Sequence, residues 1–265
     1  MKIEFWKYEG AGNDFVLLDL RGANFEPTPE QIHSLCDRRR GIGADGLMIL
    51  AESKVADFAM RYFNADGPEA TMCGNGGRCI AWFADLRGIG GDSKLFEAVD
   101  GMHRAEILSR EGCRATVRLE MVDVERVEVC PDGDVLLDTG SPHLVRVVGS
   151  LDMDVVGTGR ALRYDAKTAP TNGANVNFVE ILGDGNVALR TYERGVEDET
   201  LACGTGATAT AIAVSHTLQP DERHFSLHAL GGDLEVEFTT SDHTHYSNIR
   251  LTGPARLVFH GETEI

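Results

Sequence analysis

A chain of 265 residues with 42% apolar side chains can fill one large core or two ordinary ones, which excludes extended disorder. Its formal net charge of −17 excludes the broad basic surface that nucleic acid or an anionic membrane would need. Met1–Lys7 lacks the apolar core of a signal peptide and no apolar run is long enough to span a bilayer, so a cytoplasmic protein with a small-molecule partner is expected.

In chain order, the alternating runs Lys2–Tyr8 and Phe15–Leu20 read as strands. Thr28-Pro29-Glu30-Gln31 is a capping box with proline in the first turn, and it predicts a helix ending near Arg39. Gly41-Ile42-Gly43-Ala44-Asp45-Gly46 matches the dinucleotide fingerprint G-x-G-x-x-G, yet it follows a helix and precedes the strand Leu47–Ala51. Phosphate binding demands the reverse order, so the segment reads as a glycine-rich turn that can border a pocket. Further strands are predicted at Asp57–Asn64, Met102–Leu108, Ala115–Glu120 and Val135–Asp138. The second half adds Leu144–Val148, Val176–Leu182, Val187–Glu193, Leu234–Thr239, Ile249–Thr252 and Arg256–Phe259.

Helices are predicted over Gly77–Leu86 and Ala207–Leu218. The second is small or apolar on every face, so it should be buried all round. The expected fold is α+β, with two pseudo-symmetric, mixed β-barrel-like halves, each wrapped round a central helix. The first half is placed at 1–116 and the second at 117–254. After the turn signal Thr252-Gly253-Pro254, residues 255–265 are expected to return to the first half as a strand.

The tetrapeptide Cys-Gly-x-Gly occurs twice, as Cys73-Gly74-Asn75-Gly76 and Cys203-Gly204-Thr205-Gly206. The flanks repeat with it. Met60-Arg61-Tyr62-Phe63-Asn64 precedes the first copy, Leu189-Arg190-Thr191-Tyr192-Glu193 precedes the second, and Glu69 and Glu199 each stand four residues before their cysteine. A single copy reads as an ordinary cysteine before a turn; two copies in duplicated settings point to function. A glycine-rich turn that opens a helix offers unpaired backbone N–H groups and the positive end of the helix dipole, which suit a carboxylate and favour a thiolate. Two such thiols facing one another across a cleft suit removal of a proton from one face of a carbon and return of a proton to the other. The remaining cysteines, Cys36, Cys79, Cys113 and Cys130, sit among apolar neighbours and read as small core residues. No C-x-x-C supports a metal site.

These motifs resemble the diaminopimelate epimerase family. The resemblance runs through Gly10-Ala11-Gly12-Asn13-Asp14-Phe15-Val16, Gly41–Leu47, Phe63-Asn64-Ala65-Asp66-Gly67 and both Cys-Gly-x-Gly copies. Gly140-Ser141-Pro142-His143, Asn175-Val176-Asn177-Phe178 and Glu193-Arg194-Gly195 extend it. It implies a pyridoxal-phosphate-independent, cofactor-free isomerase that turns LL-diaminopimelate into the meso form for lysine and peptidoglycan synthesis, and a homodimer. Residue by residue, it makes Cys73 and Cys203 the acid/base pair. Gly74, Asn75, Gly204 and Thr205 become carboxylate-binding helix starts. Asn13, Asn64, Ser141, Asn175, Glu193 and Arg194 become pocket-lining groups, with Arg194 as the bidentate partner of a distal carboxylate.

The sequence departs from the family at Ser141, where members commonly carry asparagine, and at Gly46, where some carry glutamine. His143 reads as pocket wall or as an extra base. A proline racemase-like enzyme would keep both thiols but need no distal clamp. A non-catalytic amino-acid-binding protein would need neither thiol, and a redox sensor would use the two as a disulfide.

Overall fold

The computed structural model describes residues 1–265 and divides into two compact units, Met1–Leu119 with Gly253–Ile265, and Glu120–Thr252. In chain order the first unit holds β1 (Lys2–Gly10), β2 (Asn13–Asp19), α1 (Pro29–Cys36), β3 (Gly46–Ala51), β4 (Phe58–Asn64), β5 (Glu69–Ala70), α2 (Gly74–Leu86), β6 (Ser93–Ala98), β7 (Gly101–Glu111) and β8 (Arg114–Glu120). The second holds β9 (Val127–Val129), β10 (Val135–Asp138), β11 (Pro142–Val147), α3 (Val155–Arg163), β12 (Asn175–Gly183), β13 (Asn186–Glu193), β14 (Asp198–Thr200), α4 (Gly204–Thr217), β15 (His224–Ala229) and β16 (Gly232–Thr239). The final strand, β17 (Ser247–Glu264), serves both.

In the first unit the pairings β1–β2, β2–β3, β3–β4, β4–β6, β6–β7, β7–β8, β8–β17 and β17–β1 close a ring of eight strands. Only β2–β3 and β4–β6 are parallel among the registered pairs. The second unit repeats the scheme. Its ladders run β10–β11 antiparallel, β11–β12 parallel, β12–β13 antiparallel, β13–β15 parallel, then β15–β16 and β16–β17 antiparallel. The fold is therefore an α+β barrel architecture in two copies, with α2 and α4 as the inner helices.

Burial explains those helices. Every residue of α2 from Gly74 to Ala84 is buried, and in α4 Gly204 and the run Gly206–Ser215 are buried. A helix ringed by strands has no solvent face, so α4 carries alanine at 207, 209, 211 and 213, each at most 1% exposed. Both helices begin three residues earlier than the pattern predicts, because Cys73 and Cys203 are themselves the N-caps.

Four expectations are corrected. Helix α1 stops at Cys36, not near Arg39, because the Asp37 carboxylate accepts the backbone N–H groups of Arg39 (2.8 Å) and Arg40 (2.7 Å) and folds them into a turn. Cys113 is exposed, since it sits with Gly112 (φ 63°) in the two-residue turn between Glu111 and Arg114. Thr252-Gly253-Pro254 does not turn. Thr252 is the last residue paired to β16 and Arg256 the first in sequence paired to β1, so Pro254 withholds no N–H from either ladder and β17 runs straight through. Helix α3, unpredicted, is the counterpart of α1, each linking the parallel strand pair of its unit. No helix is long and apolar enough to cross a membrane.

The small-residue packing of α4 gives a direct check. Ala211→Leu should overpack the ring around it and lower stability by about 1–3 kcal/mol, read from the urea midpoint at an unchanged slope. An unchanged midpoint would mean that α4 is not enclosed on that face.

Candidate active site

Each Cys-Gly-x-Gly copy is built by the same local rule. The second glycine meets its barrel wall so closely that a Cβ there would lie 2.7 Å from Met48 Cε at Gly76 and 2.4 Å from Asn177 Oδ1 at Gly206. Any side chain would push the helix start off the strands. Upstream of each cysteine a bidentate ion pair fixes the approach. Arg61 on β4 holds Glu69 on β5 at 2.9 and 2.9 Å, and Arg190 on β13 holds Glu199 on β14 at 2.6 and 2.6 Å. These are the duplicated flanks of the sequence, now with a physical reason.

In the first unit, Asn13 and Asn75 come together. The hairpin Gly10-Ala11-Gly12-Asn13 turns through two left-handed residues, Ala11 (φ 51°) and Gly12 (φ 92°), and Gly10 lies against α2, where a Cβ would stand 3.0 Å from Asn75 O. The Asn75 amide donates to Asn13 Oδ1, and the Asn13 amide donates to Asp45 Oδ2 at 3.1 Å. Arg78, fully buried and absent from the sequence-based set, donates to Asn75 Oδ1 at 2.8 Å, to Gly74 O at 3.3 Å and to Pro254 O at 3.2 Å. A guanidinium can only donate, so it fixes which end of the Asn75 amide faces Asn13. At the far end Arg38 donates to Asp45 (2.6 Å) and bidentately to Asp14 (2.9 and 2.7 Å), and Lys7 joins Asp14 at 2.7 Å. The glycine-rich turn at 41–46 thus supplies Asp45 to orient Asn13. Asn64 ends β4 directly opposite Gly46, exposed. Cys73 is half-buried at the head of α2.

Gly46 has no room for a side chain. A Cβ would stand 2.6 Å from Phe63 O and 2.6 Å from the Tyr62 ring, so Tyr62 fills that volume.

In the second unit Ser141, His143, Asn175, Arg194, Thr205 and Cys203 are gathered. His143 is fully buried, and burial, aided by the Arg194 charge, pushes it down to about 3, so the imidazole is neutral. The Asn177 amide nitrogen donates to Leu144 O (3.3 Å) and to His143 Nδ1 (3.0 Å), which places the His143 proton on Nε2, facing Ser141 Oγ at 3.0 Å. His143 is therefore buried and neutral, with both ring nitrogens engaged by Asn177 and Ser141. Asn175 accepts from the Arg194 backbone N–H at 2.8 Å and donates to Ser141 Oγ at 3.1 Å. Arg194 Nη1 rests on Thr171 O (3.3 Å) and Gly173 O (3.4 Å). Its turn is pinned by Glu197, which adopts φ 60° and accepts from Gly195, Tyr192, Tyr164 and Arg163. Glu193 closes β13 beside Arg194, partly buried. No group of three or more His, Cys, Asp or Glu side chains is placed to hold a metal ion.

The two-barrel architecture is shared with several solved structures. It resembles a phenazine biosynthesis protein of the PhzF family from Bacillus anthracis (TM-score 0.78, 17% identity, all of both chains). It also resembles a hydroxyproline epimerase from Agrobacterium vitis with trans-4-hydroxy-L-proline bound (TM-score 0.68, 18% identity, 99% of this chain and 92% of that one). At such identities the likeness is one of fold. Sequence narrows it. The profile described as diaminopimelate epimerase matches residues 5–127 and 135–258. Relatives named diaminopimelate epimerase include those of Flavobacterium psychrophilum, 44% identical over 97% of this chain and 98% of that one, and Chlorobaculum tepidum, 42% identical over 95% and 98%. That of Archaeoglobus fulgidus is 37% identical over 98% and 96%. This chain belongs to the diaminopimelate epimerase family.

The Asp14 cluster gives a pH test. Burial alone would raise the Asp14 carboxyl, but hydrogen bonds from Arg38 and Lys7 outweigh it and bring it from 3.8 down to about 2. A lowered native value adds stability above the ordinary carboxylate range, and that stability is lost as pH falls from about 4 towards 2. Arg38→Met should therefore move acid unfolding to higher pH while leaving stability at pH 7 less affected than Lys7→Met does. Superimposable acid transitions for Arg38→Met and the parent would rule this out.

Proposed function

We propose that the protein is an isomerase converting LL-2,6-diaminopimelate to meso-diaminopimelate without a cofactor, in the supply of precursors for lysine and peptidoglycan. The observation that carries the reading is a cysteine capping the enclosed helix in each of two like-built units, within a chain of this family.

The chemistry follows from what an α-proton needs. It is weakly acidic, so its removal requires a poised base and an electropositive surround for the adjoining carboxylate. The N–H groups of Gly74, Asn75, Gly204 and Thr205 open helices and offer the electropositive surround, and the cysteine before each pair offers the base. One sulfur, as thiolate, takes the proton from one face; the other, as thiol, returns a proton to the opposite face, and the two exchange roles in the reverse direction. On this reading Asn13 and Asn64 of the first unit, and Asn175 and Glu193 of the second, are the groups that meet the amino and carboxylate groups. Arg194, anchored by one corner on Thr171 O and Gly173 O, keeps a planar edge suited to the distal carboxylate. The same reading takes the working form to be a cytoplasmic homodimer, for which light scattering should give about twice 28.8 kDa.

In deuterated water, diaminopimelate should acquire label at an α-carbon while proline acquires none. Cys73→Ser and Cys203→Ser should each slow epimerisation by about 10²–10⁴-fold, with little loss of thermal stability. Near-parental turnover in either variant would end the two-thiol mechanism, and exchange on proline alone would reassign the substrate.

A further inference from the structure

The polar groups beneath Cys203 have a fixed direction. Ser141 Oγ receives two donors: His143 Nε2–H at 3.0 Å, and the Asn175 amide at 3.1 Å. Both donor assignments are set by neighbours, and they leave the 3.4 Å approach of the Asn175 amide nitrogen to His143 Nε2 as a contact of two donors. Leu144 O and the Asn177 amide settle the His143 tautomer, and the Arg194 backbone N–H on Asn175 Oδ1 settles the Asn175 amide. With its lone pairs taken, the Ser141 hydroxyl must send its own proton elsewhere, and Thr205 Oγ1 is the neighbour, 3.4 Å away. Thr205 Oγ1, accepting that proton, directs its own to Cys203 Sγ, also at 3.4 Å, an ordinary hydrogen-bond distance for sulfur. The Gly206 N–H points at the same sulfur at 3.4 Å.

We propose that Ser141 is a positioning residue for Cys203: by accepting from His143 and Asn175 it turns the Thr205 hydroxyl proton onto the sulfur and so favours the thiolate. The catalytic meaning of this chain rests on the epimerase reading. It also reassigns Ser141, whose hydroxyl is committed to the chain rather than to substrate. A hydrogen bond to an ionised acceptor stabilises it by an amount that changes its ionisation about tenfold. Charged and titratable groups stand on the elements packed against α4. His143 on β11 is neutral, Asp138 at the end of β10 accepts the Gly140 N–H, and Arg190 on β13 is paired with Glu199 on β14. Glu193 and Arg194 end β13, and the strands β15 and β16 turn apolar residues to α4.

The test is the pH dependence of iodoacetamide alkylation of Cys203 in the full-length Cys73→Ser protein without substrate. It is read by mass spectrometry on the Cys203 peptide, so that exposed Cys113 does not interfere. Ser141→Ala should move the half-point of alkylation up by about one pH unit, about tenfold less reaction at neutral pH. Ser141→Thr should restore it. Should Ser141→Ala fail to fold, the pair Thr205→Val and Thr205→Ser carries the same test: valine should shift the profile and serine should not. Profiles that superimpose on the parent, or equal shifts in Thr205→Ser and Thr205→Val, would overturn the proposal. So would a fall in melting temperature with no shift in the profile. A shifted profile in a protein that does not exchange the diaminopimelate α-proton would leave the chain standing and remove the epimerase reading.

Discussion

Everything in the site depends on a helix start that is buried and still carries exposed donors. A helix ends with N–H groups that no residue of its own can accept, and burying them without partners is costly. Here the enclosing strands leave no room for capping side chains. The first-turn glycines Gly76 and Gly206, each the third residue of its helix, sit hard against Met48 and Asn177, and the cap itself is a cysteine, a poor acceptor when protonated and a good one when ionised. The sulfur and these donors therefore answer one another, as the Gly206 N–H does on Cys203 Sγ at 3.4 Å. Burial of the helix start thus sets a sulfur beside backbone donors, a setting that favours the ionised form of a thiol.

The two units meet this constraint by different means. In the first, a charged chain runs from buried Arg78 through Asn75 and Asn13 to Asp45 and Arg38. In the second the equivalent linkage is neutral: Thr205 to Ser141, with His143 and Asn175 behind it. The place of Arg78 is taken by Thr208, whose hydroxyl bonds to Gly204 O at 3.1 Å. A buried guanidinium is costly unless an anion shares its surroundings, whereas a chain of hydroxyls is cheap but must be oriented at its far end. The like-built halves thus give their cysteines unlike electrostatic settings.

Much of this was legible in the sequence, and the failures have physical causes. The inner helices, the thiols and the duplicated flanks stood out because enclosure demands small apolar residues and the flanks carry an ion pair. Helix α3 did not stand out, since Val-Val-Gly-Thr-Gly carries poor helix formers and its cap, Asp154, is followed three residues on by Gly157, which offers only its backbone N–H and no Glu or Gln side chain to complete a capping box. The repeat itself was the signal that could have found it, because α1 occupies the same link in the first unit. Arg78 escaped for the opposite reason. An arginine in a helix reads as solvated, and only the ring of strands makes it a buried charge. Cys113 was misread because one glycine before it made a turn of what looked like an apolar stretch.

The departure at Gly46 illustrates how far local geometry can replace a side chain. With no Cβ at 46, the Tyr62 ring moves into the vacated volume and β3 packs close to β4, where Gly46 pairs with Asn64. Tyr62 belongs to the segment whose neighbour Arg61 clamps Glu69. The missing side chain is thus coupled, through one strand, to the ion pair that fixes the approach to Cys73. A side chain restored at 46 would have to displace Tyr62, and the clamp would feel it before the substrate did. The glycine is best understood as part of the support of the first thiol: it lets the Tyr62 ring lie against β3 where Gly46 pairs with Asn64.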